Sequence, residues 1–307
     1  MKDSVFKDSP YLMDGGLETS MIYREGIELN HFAAFELLLS EHGRQKLKEY
    51  YVNYLGIAQE FKLNFILEAP TWRANTDWGL KLGYSMSRIS EINREAIVLM
   101  REIACDQQHP VQKLLISGCI GPRGDGYNPE FVMSPLQAKE YHSLQMLSFA
   151  LADADLVSAL TLTNSNEAIG IAMAAKEVHL PVVISFTVET DGRLPGGESL
   201  ETAIHRVDNA TMVYPEHYMI NCAHPEHFRK LLLEDKFWRE RIRGIRANAS
   251  LKSHAELDGS DQLDDGDICE LADAYSKLQD NLPGLLVYGG CCGTDHRHMR
   301  AICQRLF

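Results

Sequence analysis

The 307-residue sequence predicts one (β/α)8 barrel of the TIM-barrel class, spanning residues 1–307 as a single domain. Three observations lead there. Short apolar runs rich in β-branched residues alternate with segments of helical spacing from residue 11 to the C-terminus. The alternation yields eight strand–helix pairs, with no long linker, clear repeat or low-complexity tract between them. Glycines, thiols and polar residues gather just after the apolar runs, on what would be the ligand-binding rim of such a barrel. Unbroken alternation implies parallel strands joined by crossover helices, and eight repeats favour closure over two open sheets.

Taken in order, residues 11–14 form a strand that runs into Gly15-Gly16, where backbone can approach a ligand closely. Helical spacing over 32–39 and 45–61 precedes a second strand at 64–68, which extends into the polar and aromatic lip Ala69-Pro70-Thr71-Trp72. A helix over 87–105 leads to a strand at 114–117 and the glycine-rich loop 118–126. Pro135 suits the first turn of a helix over 135–152, followed by a strand at 155–162. Helices at 167–178, 199–209, 226–233 and 267–278 then alternate with strands at 182–188, 218–221, 242–247 and 285–288, before a last helix at 296–306. The acidic stretch 256–267 fits no calcium-loop template and reads as a solvated loop.

The formal charge of −13 and pI near 5.4 argue against nucleic acid or an anionic membrane as partner. A neutral or cationic small molecule is easier to accommodate. The first ten residues lack the apolar core of a signal peptide, so a soluble, cytoplasmic protein is expected, as a monomer or small homo-oligomer. Seven cysteines scattered through a large chain are the usage of free thiols and metal ligands rather than a secreted disulfide framework.

The most informative stretch is Leu285-Leu286-Val287-Tyr288-Gly289-Gly290-Cys291-Cys292-Gly293-Thr294-Asp295, a strand, a thiol-bearing turn and a helix start. A vicinal disulfide there would be strained, and metal ligation is the better first reading. Two thiolates leave zinc short of ligands. Cys222, after the strand 218–221, supplies a third on the same rim, whereas Cys105, Cys269 and Cys303 fall in helices and Cys119 follows the third strand across the barrel. Three thiolates with an open fourth position form the layout of a catalytic zinc. Such an electron-rich zinc activates water poorly and suits a bound thiol that attacks an alkyl carbon.

Asp14-Gly15-Gly16-Leu17-Glu18-Thr19, Ile184-Ser185-Phe186-Thr187-Val188 with Asp191-Gly192-Arg193-Leu194, Asn221-Cys222, and Gly289-Gly290-Cys291-Cys292-Gly293-Thr294 together resemble the homocysteine S-methyltransferase family. The resemblance implies a (β/α)8 barrel with Zn2+ on Cys222, Cys291 and Cys292. It also implies methyl transfer from an onium donor to the sulfur of homocysteine, giving methionine, with Asp14, Gly15 and Gly16 at the amino-acid end of the acceptor. Betaine-using members carry a long C-terminal extension, so this chain is more similar to compact members that use S-methylmethionine or S-adenosylmethionine. The methylsulfonium needs positioning and desolvation rather than a protein base. Trp72 and Tyr127 could face that cation, with ordinary loop packing the competing reading.

The sequence departs from the family where a glutamate is expected after the fourth strand, because Leu160 stands there. Losing one side of a buried charge pair costs on the order of 2–5 kcal/mol unless Thr161, Thr163, Asn164 or Glu68 compensates. Thr71 and Thr161 are further candidate substrate contacts, and Asn248, in the unusual Arg246-Ala247-Asn248 end of the seventh strand, is another. The departure leaves open a different acceptor thiol, or a zinc-binding or redox-sensing protein without methyl transfer. His224 reads as a residue that starts a helix or supports the metal site, Asp295 as a cap, and His296 with His298 as an improbable ligand pair.

Overall fold

The computed structural model describes residues 4–7, 9–106, 111–127, 131–233, 237–258 and 262–307. Eight parallel strands close into a barrel in chain order. They are β1 (Tyr11–Leu12), β2 (Asn64–Glu68), β3 (Leu114–Ile120), β4 (Leu156–Leu162), β5 (Val182–Phe186), β6 (Tyr218–Asn221), β7 (Ile242–Ala247) and β8 (Val287–Gly290). β1 completes the ring between β2 and β8, with Tyr11 opposite both Asn64 and Val287. This is the (β/α)8 barrel the alternation predicts.

The α-helices are α1 (Leu17–Tyr23), α2 (Glu41–Glu60), α3 (Thr76–Lys81), α4 (Met86–Cys105), α5 (Pro135–Leu151), α6 (Ser165–Glu177), α7 (Leu200–Thr211), α8 (Pro225–Phe228), α9 (His254–Asp258), α10 (Ile268–Asn281) and α11 (His296–Leu306). Ser40, Ser85, Ser134, Asn164, Ser199 and Asp267 each accept a backbone N–H at the start of the helix that follows. Each such cap satisfies a donor that a helix start leaves unpaired.

Two expected helices are broken. Residues 30–39 form two 3-10 turns, Asn30–Phe32 and Ala34–Leu39, because His31 and Phe32 adopt left-handed angles, φ 53° and 57°. The expected helix at 226–233 is α8 followed by a 3-10 turn, Arg229–Leu232; Phe228, at φ −126°, leaves the helical range between them.

The barrel interior changes character along its axis. At the N-terminal end Tyr11, Ile66, Leu115, Leu156, Val183 and Met219 form a buried apolar cluster closed by Phe6. Phe6 stands edge-on to Tyr11 and His217, with ring centroids 5.3 and 4.7 Å away. Burial lowers the His217 pKa to about 3, so its ring packs there as a neutral group. A second, larger core lies between the strands and the outer helices, with Leu47, Phe149 and Tyr275 wholly buried in it. The C-terminal rim is therefore left to polar chemistry.

Candidate metal centre and substrate cavity

The rim encloses a cavity of about 250 Å³. β6 and β8 bring three cysteines to it: the Sγ atoms of Cys222, Cys291 and Cys292 all lie within 4.8 Å of one another. The Cys222 and Cys291 sulfurs are in disulfide contact, with Cα atoms 5.3 Å apart. Cys105 and Cys269 are exposed and Cys303 is buried in α11; Cys119 lines the cavity without joining the cluster. In a tetrahedral zinc site with Zn–S bonds of about 2.3 Å, sulfurs stand roughly 3.8 Å apart, inside the 4.8 Å limit of this cluster once the Cys222–Cys291 pair is reduced. Cys291 and Cys292 are only half-buried and line the cavity, which leaves the cluster open on that side. The donor set and its open face fit a metal ion of zinc's preferences. Burial, reinforced by Glu18, pushes the Cys292 thiol up to about 11, so the metal-free thiol is protonated at neutral pH.

Asn221, the last residue of β6, organises this wall. Its Oδ1 accepts from Ser185 Oγ at 2.6 Å and from Thr161 N at 2.8 Å, and its Nδ2 donates to Thr161 Oγ1 at 2.8 Å. Thr161 and Cys222 both hold left-handed backbone, φ 61° and 54°, at an expected cost of roughly 1–3 kcal/mol each. The register between β4 and β5 shifts between Ala159 and Leu162, around Thr161. Strained backbone of this kind persists where surrounding bonds fix it: Asn221 supplies them at Thr161, and at Cys222 the N–H donates to Arg246 O while Asn248 and His254 hold the carbonyl. Across the rim, a Cβ on Gly16 would stand 2.6 Å from the Cys291 carbonyl oxygen, so only glycine lets the β1 loop meet the thiol turn.

Behind the thiols sits a buried ionic cluster. Arg246 of β7 donates through Nη2 to Asp14 Oδ1 at 2.8 Å and to Gly15 O at 3.2 Å, through Nη1 to Glu68 Oε2, and through Nε to Gly290 O at 3.0 Å. Tyr50 Oη donates to Asp14 Oδ2 at 3.1 Å, so both Asp14 oxygens already have donors. Burial works against the charge on Arg246, yet Asp14 and Glu68 hold it above its ordinary value. One cation shared by two buried carboxylates does not satisfy both, and Glu68 is left at about 7, raised by burial and lowered again by Arg246.

The remaining candidates separate. Leu160 and Thr161 line the cavity, with Thr161 Oγ1 3.9 Å from Cys222 Sγ. Asn248 also lines it; its Nδ2 donates to Cys222 O at 3.1 Å and its buried Oδ1 has no partner. Thr71 does not join them: it is fully buried, and its hydroxyl donates to Cys119 O and accepts from Cys119 N, bracing β3. Trp72 and Tyr127 line the cavity, Tyr127 Oη standing 4.0 Å from Cys292 Sγ. His224 caps α8 by accepting from Glu226 N, and Asp295 caps α11 while pairing with His298. The acidic stretch keeps solvated residues, with Glu256, Gln262, Gly266 and Asp267 exposed, but it begins in α9 and also forms part of the cavity wall. Residues 259–261 lie outside the described residues, but Leu257, Gln262, Leu263 and Asp264 all line the cavity.

Several cavity residues went unassigned from sequence, among them Arg73, Arg246, Glu18 and His254. Arg246 left a usable signal, an arginine at the C-terminal end of a barrel strand, where ligand-binding residues lie. Glu18, raised to about 7 by burial, and His254, which reaches Cys222 O from α9 and packs at a tilt against Tyr127 with ring centroids 4.4 Å apart, left none.

The profile of the family described as Homocysteine S-methyltransferase matches residues 11–306. The chain belongs to the homocysteine S-methyltransferase family. As a member it is a methyltransferase. It is 24% identical over 321 residues to Homocysteine S-methyltransferase 2 of Zea mays, covering 96% of this chain and 89% of the relative. It is 25% identical over 340 residues to the Selenocysteine Se-methyltransferase of Brassica oleracea var. italica, covering 100% and 92%. Among solved structures, the homocysteine methyltransferase MmuM from Escherichia coli shares the fold. Its oxidized form superposes with a TM-score of 0.74 at 20% identity and its metallated form with 0.72 at 19%, each covering 97% of this chain and 96% of the other. In this family member, then, the thiol cluster, the ionic cluster and an apolar Leu160 meet at one rim.

Proposed function

We propose that this protein transfers a methyl group from a sulfonium donor, S-methylmethionine or S-adenosylmethionine, to homocysteine, giving methionine, with Zn2+ held by Cys222, Cys291 and Cys292. The observation that carries the reading is the convergence of those three sulfurs, within 4.8 Å, on the open side of the cavity. Zinc bound there would lower the pKa of an incoming thiol while leaving the sulfur nucleophilic. The chain's own residues supply the rest. Asn221 fixes Thr161 beside the thiols, Asn248 and the Arg246 carbonyl hold the backbone of Cys222, and Gly16 lets the β1 loop close on Cys291. Tyr127, Leu160, Leu257 and Leu263 exclude water around the reacting pair, which strengthens positioning in line. Of the acidic side chains Glu18, Glu68 and Asp264 on the cavity wall, Glu68 is paired with Arg246 and Asp264 with Lys252, which leaves Glu18 as the one that suits a cationic donor.

The test is methyl transfer by reduced, zinc-loaded protein, with homocysteine as acceptor and S-methylmethionine, S-adenosylmethionine and betaine offered in turn, following methionine. Turnover with either sulfonium is expected; turnover with betaine alone would overturn the donor assignment.

A second reading is favoured by Leu160 and by the occupied Asp14 oxygens: an acceptor other than homocysteine, of the same soft-nucleophile class. The Brassica relative is named for selenocysteine, which makes that selenol the first alternative to try. Leu160→Glu distinguishes the two. It should lower the KM for homocysteine if an ammonium lies beside position 160, and leave it unchanged if the acceptor is held elsewhere.

A further inference from the structure

Arg73 follows β2 in the loop that leads to α3, and it lines the same cavity as the three cysteines. Its guanidinium lies between two indoles, with Cζ 4.5 Å from the Trp72 ring centroid and 3.9 Å from that of Trp78. Nη1 donates to Gly124 O at 2.9 Å, while the buried Nε has no partner. Asp125 and Glu18 are near enough to favour its charge, but among the described residues none forms an ion pair with it. Contrast Arg246, on the same rim, whose donors go to two carboxylates and two carbonyls.

A half-buried cation with no carboxylate paired to it is disfavoured, and burial works against the charge of Arg73. Two aromatic faces return part of that cost, because an indole attracts a guanidinium through its face. They also fix the plane of the fork, so that its edge, and not its face, is what a ligand meets. A planar fork with unused N–H donors matches a carboxylate bidentately, which an ammonium on a lysine cannot do. Asp125 and Glu18 share the cavity wall and act on Arg73 only from a distance, neither pairing with it, so the outer edge of the fork is left for a ligand's carboxylate.

We propose that Arg73 is a specificity-determining residue that anchors the carboxylate of a substrate, clamped flat for that purpose by Trp72 and Trp78. The proposal rests on the methyl-transfer reading for which substrate this is: both the thiol acceptor and an S-methylmethionine donor carry a carboxylate. It also explains how an acceptor is oriented where Leu160 and the occupied Asp14 provide no vacant ionic contact. The carboxylate end is held at the end of β2, and the sulfur end is left to the cysteines of β6 and β8.

The experiment is equilibrium binding to the reduced, zinc-loaded protein, read by tryptophan fluorescence and confirmed by calorimetry. Two probe pairs differ only in the carboxylate: homocysteine against aminopropanethiol, and S-methylmethionine against aminopropyl dimethylsulfonium. Arg73→Gln should weaken one carboxylate-bearing probe by about tenfold to a hundredfold, as loss of a charge-assisted pair does, and leave its decarboxylated partner unchanged. Arg73→Lys should recover part of the loss. The pair that responds tells whether acceptor or donor sits on Arg73. Equal losses within both pairs, no loss in either, or wild-type protein that does not prefer the carboxylate-bearing probes would overturn the proposal. Carboxylate preference that depends on Arg73 in a protein without methyl transfer would uphold the anchor and sink the functional reading, so the two fail separately.

Discussion

At the N-terminal end of the barrel, Phe6, Tyr11 and a neutral His217 close the interior ring against ring, whereas at the C-terminal end Arg246 divides its charge between Asp14 and Glu68 beside three thiols. Both ends are buried, and the same strands build both. What differs is the penalty for a mistake. An apolar plug loses only contacts when a side chain is trimmed, while an ionic cluster loses the partner that makes the remaining charges tolerable. Burial alone thus does not mark the functional end; buried charge, strained backbone and open thiols do.

The largest effect expected is from Arg246→Ala, which strands two buried carboxylates and should cost about 3–5 kcal/mol of stability, measured by urea unfolding. A loss under about 1 kcal/mol would mean the cluster is not the costly element the comparison makes it. At the opposite end Phe6→Ala should cost about 3 kcal/mol while kcat/KM stays near wild type; a matching fall in activity would join the two ends that the comparison separates.

A third, smaller effect sharpens the polar end. Burial, with Asp14 nearby, raises the Glu18 carboxyl to about 7. A folded value above the unfolded one means the folded state keeps the proton longer. Glu18 therefore costs nothing well below about pH 4 and costs stability as pH rises through about 7. Glu18→Gln should stabilise the metal-free protein by roughly 1–3 kcal/mol at pH 8 and leave it unchanged at pH 4. The smallest effect is at Asp295, whose carboxyl is disfavoured by burial but held well below the usual range by His298, Arg24 and Arg297. That stabilisation is present above the unfolded value and fades as pH falls. Asp295→Asn should cost about 1 kcal/mol at pH 7 and progressively less below about pH 4.

Periodicity made the barrel legible, because strands buried on both faces and helices with one apolar stripe leave different spacings. The thiol cluster was legible too, since the barrel rule sends Cys222, Cys291 and Cys292 to one rim and excludes helical cysteines. Thr71 shows where such reasoning stops. A hydroxyl after a strand looks the same in sequence whether it faces the ligand or, as here, bridges Cys119 in the neighbouring strand. The acidic stretch was legible only in part for a related reason: composition records its charge and exposure but not that Leu257 and Leu263 line the cavity. The ionic cluster needed Asp14, Glu68 and Arg246 to be seen together, and they lie 54 to 232 residues apart in sequence.

The most direct test of the account is zinc content and methyl transfer measured side by side for the reduced wild-type protein and for Cys291→Ala, with circular dichroism to confirm the barrel. The account predicts about one zinc per chain and turnover with a sulfonium donor for wild type, and loss of both in a folded variant. A Cys291→Ala protein that keeps its zinc and wild-type turnover would contradict it.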